Sequence, residues 1–210
     1  MEVINYIIAN SDKVVQKIME HVYLSFSAVI LAILIGVPLG FIIVNRKKLS
    51  QVVISITNVI QTIPSLALFV IVLPFMGIGA KPAIFALFLY ALLPIIKNTL
   101  IGIKNVDPAI KEAAVGMGMT KTEILFKVEV PLAISVIMGG VRIAAVTCVG
   151  ITTIATLIGA GGLGDFIYSG LSVLNMPMIL TGAILSALLA LFVDFILGLL
   201  EKKLTSEGLK

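Results

Sequence analysis

The sequence predicts an all-α integral membrane protein with about five transmembrane helices, six being possible. Three observations lead there. Of 210 residues, 60% are hydrophobic and only 12% charged, with a mean hydropathy of +1.18. Soluble domains carry about 45–50% apolar and about 25% charged residues. The apolar residues fall in long uncharged blocks, and runs of about 18 or more read as bilayer spans. The basic residues gather in alternate gaps between those blocks, the mark of cytoplasmic loops. The net charge of +4 is therefore explained by topology rather than by nucleic acid.

The spans follow in order. The first is expected over 22–44 and is followed by Arg46-Lys47-Lys48. It is too long for the apolar core of a signal peptide and has no small-residue cleavage site after it. The second covers 52–75 and the third 83–96, with Pro74, Gly77, Gly79, Lys81 and Pro82 breaking helix between them. The third is short and is expected to extend past Lys97 to about Leu100 by snorkelling. The fourth covers 132–158 and the fifth 178–200, and a half-length sixth span within 159–177 is possible. Trp is absent, so an interfacial aromatic belt would rest on Tyr23, Tyr90 and Tyr168.

Five spans put the ends on opposite sides. One side receives Arg46, Lys47, Lys48, Lys97, Lys104, Lys111, Lys121, Lys127, Lys202, Lys203 and Lys210; the other receives Lys13, Lys17 and Lys81. The positive side is cytoplasmic. Residues 1–21 then form an extracellular segment, 22–200 the transmembrane domain with a cytoplasmic loop over 98–130, and 201–210 a cytoplasmic tail. The spans show no internal repeat of the kind that builds many secondary transporters.

The loop reads as helix–turn–helix. Asp107 is an N-cap with Pro108 at the first helical position. Gly116 and Gly118 end that helix. Thr120-Lys121-Thr122-Glu123 is a capping box for a second helix, which Pro131 kinks or restarts at the membrane. The first helix is small and apolar, with Ala109, Ile110, Ala113, Ala114, Val115 and Met117. It either docks into a partner or packs back on the spans.

Glu112-Ala113-Ala114, three residues, Gly118, nine residues, then Val128-Glu129-Val130-Pro131 resembles the E-A-A–x3–G–x9–I-x-L-P signature of binding-protein-dependent ABC importer permeases. Gln61-Thr62-Ile63-Pro64-Ser65-Leu66-Ala67, Tyr90-Ala91-Leu92-Leu93-Pro94-Ile95 with Asn98-Thr99, and Leu157 to Asp165 look like the osmoprotectant branch of that family. Its members carry glycine betaine, carnitine, choline or proline betaine. Methionine-type importers have permeases of similar build, so a methionine or other amino-acid permease is the alternative.

The resemblance implies a type I permease architecture in a bacterial cell membrane. It implies a pair of ATP-binding subunits, a second permease copy or homologue, and an extracellular substrate-binding protein. ATP and Mg would belong to the ATPase, leaving no catalytic residue, metal or cofactor on this chain. Asp107, Pro108, Glu112, Ala113, Ala114, Gly118 and Pro131 would form the ATPase-coupling loop.

Other features fit that picture. No G-x-x-x-x-G-K-[ST] phosphate loop occurs. Gly159-Ala160-Gly161-Gly162-Leu163-Gly164 fits G-x-G-x-x-G but follows a span, so a flexible external turn is expected. Cys148 reads as a packed hydrophobe and the single His21 has no assigned role. Asn58, Gln61, Thr62, Ser65, Thr152 and Thr156 are candidates to line a pathway or to make ordinary interhelical hydrogen bonds. Arg142 is expected to pair with a carbonyl or an acid, and Asp194 to reach the interface or pair with Lys202. No aromatic cage for a quaternary ammonium is evident, so tight recognition is expected on the separate binding protein. A stand-alone carrier or channel is the competing class, and an intramembrane enzyme lacks a nucleophile–base set.

Overall fold

The structure is a computed structural model that describes residues 2–205. Residues 206–210 of the expected tail, with Lys210, lie outside the described residues, as does Met1. Among the described residues every regular element is helical. The helices are α1 (Glu2–Ala9), α2 (Ser11–Ile43), α3 (Lys47–Thr62), α4 (Ser65–Met76), α5 (Ala80–Lys104), α6 (Pro108–Gly116), α7 (Lys121–Ile124), α8 (Val130–Ala155), α9 (Gly164–Ser172) and α10 (Met176–Leu204). A π-helical turn, Leu125–Glu129, joins α7 to α8, and a 3-10 turn, Thr156–Ile158, follows α8.

Four helical runs are long and apolar enough to cross a bilayer, and α3 with α4 makes a fifth if the bent pair counts as one span. The expected straight span over 52–75 is thus corrected: the chain turns by 101° between α3 and α4. Pro64 causes the break. It has no N–H to donate, and it pushes Ile63 to an extended conformation (φ −72°, ψ 125°). The half-length span in 159–177 appears as the nine-residue α9, too short to cross. Helix α2 starts at Ser11 instead of near 22, and α5 runs to Lys104, into the expected loop.

Helix α5 is the centre of the bundle, packed between α2 and α8, with α10 on the far side of α8 and α9 against α10. Over half of its apolar window is buried (56%), against 6% for α10. In lipid, helices associate through close packing rather than hydrophobicity, so small residues sit at the crossings. Gly36 and Gly40 of α2 face Ile95, Ile96 and Thr99 of α5, and Gly140 of α8 faces Pro94 and Asn98. A Cβ on Gly140 would lie 2.7 Å from the Pro94 carbonyl oxygen. Cys148 is fully buried in the same core.

The chain places the start of α2, the 77–79 turn and the 156–165 segment at one end: Gly79 N–H donates to Ile158 O at 3.0 Å. His21 is fully buried there. Its Nε2 lies 2.9 Å from Val149 O, and its Nδ1 accepts from Leu163 N–H at 3.2 Å. Glu20 accepts from Gly162 N–H at 3.0 Å, and Lys17 pairs with Glu20 (2.7 Å) and Asp165 (2.5 Å). The glycine-rich segment is therefore clamped, not a free turn, and His21 has a structural role. Nothing in the sequence signalled that role, because both partners of His21 are backbone groups more than a hundred residues away.

Candidate functional site: the α5–α8 loop and a polar cavity

The loop between α5 and α8 is built by its caps. Asp107 Oδ1 accepts from Ala109 N–H at 2.8 Å and starts α6 with Pro108 in the first turn. At the other end Gly118 takes φ +78°. Its N–H donates to Val115 O (2.9 Å) and Met119 N–H to Ala114 O (3.2 Å), the paired bonds of a Schellman stop. A positive φ of this size favours glycine. The capping box also forms: Glu123 Oε2 accepts from Thr120 N–H at 3.0 Å, and Thr120 Oγ1 accepts from Glu123 N–H at 3.3 Å. Glu123 lies on this loop, outside the spans. The Thr120 backbone N–H, the Lys127 ammonium at 2.9 Å and the Thr120 hydroxyl hold its carboxyl down to about 2.

The helix does not restart at Pro131. It runs from Lys121 to Ile158 without a break. A proline ring clashes with the carbonyl four residues back. The π turn widens the helix just there, with Val130 N–H reaching Leu125 O. Two ties fix the loop to the bundle. Lys111 Nζ donates to Ile103 O at the end of α5 (3.0 Å) and pairs with Glu129 (2.8 Å). Phe126 meets Phe41 of α2 edge-on, centroids 6.1 Å apart. Neither Lys111 nor Glu129 was singled out as a site residue from the sequence; a basic residue on α6 and an acid before α8 give no spacing cue across 18 positions.

Of the expected coupling residues, Ala114 alone is buried. Asp107, Pro108, Glu112, Ala113, Gly118 and Pro131 are exposed. So are Ile110, Val115 (62%) and Met117 (75%). One alanine thus faces the bundle while a small apolar surface faces outward at the same end as Arg46, Lys47, Lys104, Lys121 and Lys202.

The candidate pathway residues divide. Gln61 Nε2 donates to Tyr90 O at 2.9 Å. That carbonyl is the one Pro94, four residues on, leaves without its helical partner. The Tyr90 hydroxyl in turn donates to Ile63 O at the break between α3 and α4. Tyr90 is accordingly buried and is not part of an interfacial belt, whereas Tyr23 is exposed. Gln61 and Tyr90 line a cavity of about 510 Å³ with Lys97, Asn98, Ile143 and Thr147. Asn58 and Thr62 are exposed on α3, and Thr62 bonds Val59 O. Ser65 begins α4 and Thr156 the 3-10 turn, both half-buried. Thr152 is corrected: it is fully buried and donates to Cys148 O at 2.7 Å, so it packs inside the bundle.

A second cavity, about 580 Å³, shares Ile143 and Thr147 and carries Arg142 and Asp194. Arg142 Nε donates to Asp194 Oδ1 and Nη2 to Asp194 Oδ2, both at 3.0 Å, and Nη1 donates to Glu201 at 2.8 Å. Ser135 Oγ donates to Glu201 at 2.7 Å. Asp194 therefore pairs with Arg142 and not with Lys202. The fork satisfies Asp194, an acid within an apolar helix, and Glu201 near the end of that helix.

Comparison with known proteins agrees with this architecture. A family model described as binding-protein-dependent transport system inner membrane component matches residues 25–206. The carnitine transport permease protein OpuCB of Listeria monocytogenes is 44% identical over 208 residues, covering 99% of this chain and 95% of that protein. The glycine betaine/carnitine/choline transport system permease protein OpuCB of Bacillus subtilis is 41% identical over 209 residues, covering 100% and 96%. A chain of the MetNI methionine ABC transporter, solved in inward-facing conformations, superposes with a TM-score of 0.84 at 26% identity, covering 92% of this chain and 96% of that one. The fold is that of type I ABC importer permeases, and the chain belongs to the family of inner-membrane components of binding-protein-dependent transport systems.

Proposed function

We propose that this chain is the membrane-spanning subunit of an ATP-driven importer that moves quaternary ammonium osmoprotectants, glycine betaine, carnitine or choline, handed over by an external binding protein. The observation that carries the substrate class is full-length identity of 44% to a carnitine permease, against 26% to the MetNI methionine chain. The methionine reading has only the shared fold in its favour.

In this reading two copies, or this chain and a homologue, line the path. The N-terminus lies outside and the C-terminus inside, a reading that the clustering of basic residues at one end of the spans supports. Helix α6 is the coupling helix. Ala113 permits close approach to an ATPase subunit, and Glu112 and Gly118 belong to the same contact. The Lys111–Glu129 pair, 2.8 Å long, transmits its displacement to the base of α8. The ATPase, with its own ATP and Mg, does the hydrolysis. Substrate binding and switching are linked by unequal affinity for the inward- and outward-open states.

The test is uptake of radiolabelled glycine betaine, carnitine, choline and methionine. The chain is expressed with its neighbouring ATPase and binding protein in cells lacking such importers. ATP-dependent uptake of a quaternary amine that vanishes without this chain supports the reading. Uptake of methionine alone overturns the substrate, and uptake without the ATPase overturns the coupling role.

A further inference from the structure

We propose that Lys97 is a substrate-binding residue: in the cavity it shares with Gln61, Asn98 and Thr147 it takes the carboxylate of a zwitterionic solute. This rests on the importer reading above but commits to one end of the substrate and one side chain.

Two cations lie on long apolar helices at this end of the bundle, Arg142 on α8 and the exposed Lys97 on α5. Arg142 is committed to Asp194 and Glu201. Lys97 sits seven residues before the end of α5 at Lys104, about 10 Å along the axis. Among the described residues it has no acid within ion-pair distance. An ionisable group at such depth is costly unless it is paired or serves a site. A snorkelling lysine is the plain alternative. Against it, the ammonium-bearing residue lines a cavity that extends along α5 from Tyr90 to Ile101, to the level of the Pro94 break.

The cavity is suited to a small zwitterion. Its volume, about 510 Å³, falls within the ~300–1,000 Å³ usual for small-molecule sites. No carboxylate lines it, so its one formal charge is Lys97. Thr147 Oγ1 has no hydrogen-bond partner among the described residues, and a hydroxyl can donate to the same carboxylate. The amide groups supply the opposite polarity. Asn98 Nδ2 donates one N–H to Pro94 O (2.8 Å) and Gln61 Nε2 one to Tyr90 O. Their carbonyl oxygens remain as partial negative charges. A trimethylammonium group has no N–H and needs only such dipoles and apolar walls, here Leu93, Ile143 and Ile151. With no aromatic cage the site holds substrate weakly, as a path must.

The experiment uses the complete complex, with its ATPase and binding protein, in liposomes. Glycine betaine and choline uptake are measured for the wild type, Lys97→Met, Lys97→Arg and Lys97→Cys. Losing a charge-assisted bond is expected to lower glycine betaine uptake about tenfold in the Met and Cys variants, with Arg retaining most of it. Choline, which has no carboxylate, should change by less than about twofold, since it never made that bond. Treating Lys97→Cys with a thiol reagent that adds an aminoethyl group should restore glycine betaine uptake, and one that adds a neutral methyl should not. The only other thiol of this chain, Cys148, is fully buried, and the Lys97→Met complex treated with the same reagents accounts for thiols on the other subunits. Unchanged glycine betaine uptake in Lys97→Met, or rescue by the neutral reagent, overturns the Lys97 site and leaves the importer reading standing. Failure of the wild-type complex to carry any of these solutes overturns both.

Discussion

Gly118 offers the sharpest test of how the loop works. It sits at φ +78°, and a Cβ built on it would meet nothing within 4 Å. Any penalty for a side chain there is therefore conformational and not a clash. Holding an L-residue in the left-handed region costs about 1–2 kcal/mol. A β-branched Val should reach the top of that range, and Asn, which tolerates this region, should pay little of it. The Schellman bonds from Gly118 and Met119 close only this turn, so the cost falls on α6 and leaves the bundle intact. A nine-residue helix is marginal on its own, so a penalty of 1–2 kcal/mol lowers the docking-competent population by up to roughly 5- to 30-fold. Gly118→Val should therefore cut coupled uptake by about that factor, with unchanged membrane level and unchanged melting of the spans. Gly118→Asn should stay within about twofold of wild type. The assay is uptake per ATP hydrolysed in proteoliposomes. Equal activity of Val and wild type would refute the reasoning. An Asn variant as poor as Val would show that bulk against the ATPase matters, not backbone conformation.

Three further outcomes are expected. Gln61→Leu strands the Tyr90 carbonyl that Gln61 now satisfies at 2.9 Å; the cost is about 1–3 kcal/mol, read as a lower melting temperature in detergent. Arg142→Met leaves Asp194 and Glu201 without their common partner; because Arg142 is one-third exposed, the loss should be about 1–3 kcal/mol, below the 3–5 of a fully buried pair, and adding Asp194→Asn with Glu201→Gln should recover most of it. Glu123 is held down to about 2. A lowered carboxyl stabilises the capping box fully above the unfolded value of about 4.3 and loses that as pH falls through the folded one. Amide protection of α7, followed by hydrogen exchange, should be flat from pH 7 to about 4.5 and decline between about 4.3 and 2; a flat profile in wild type, matching Glu123→Gln, would contradict the assignment.

Much of the local structure was legible because it depends on neighbours in the chain. Asp107-Pro108 and Thr120–Glu123 cap helices by contacts two or three residues away, and Gly118 stops α6 through its own φ. The spans were visible because a bilayer demands long apolar helices whatever their partners. Pro64 was in view as a residue, but a proline in an apolar run reads equally as a kink or a break. Pro64 breaks the helix, and at the resulting 101° turn the Tyr90 hydroxyl donates to the freed Ile63 carbonyl.

What the sequence determined alone is the membrane class, about five apolar spans in order, and a capped helical loop with the signature of a permease. What the tertiary structure decided are the pairings across the bundle: Arg142 with Asp194 and Glu201, Lys111 with Glu129, and His21 with Val149 and Leu163. It also buried Thr152 and Tyr90 and left Lys97 beside a cavity. The reason is physical. Capping and hydrophobic length are short-range and periodic, so they leave a pattern in the chain. A polar group at membrane depth must find a partner wherever packing brings one, and that partner can lie 128 residues away, as Val149 does from His21.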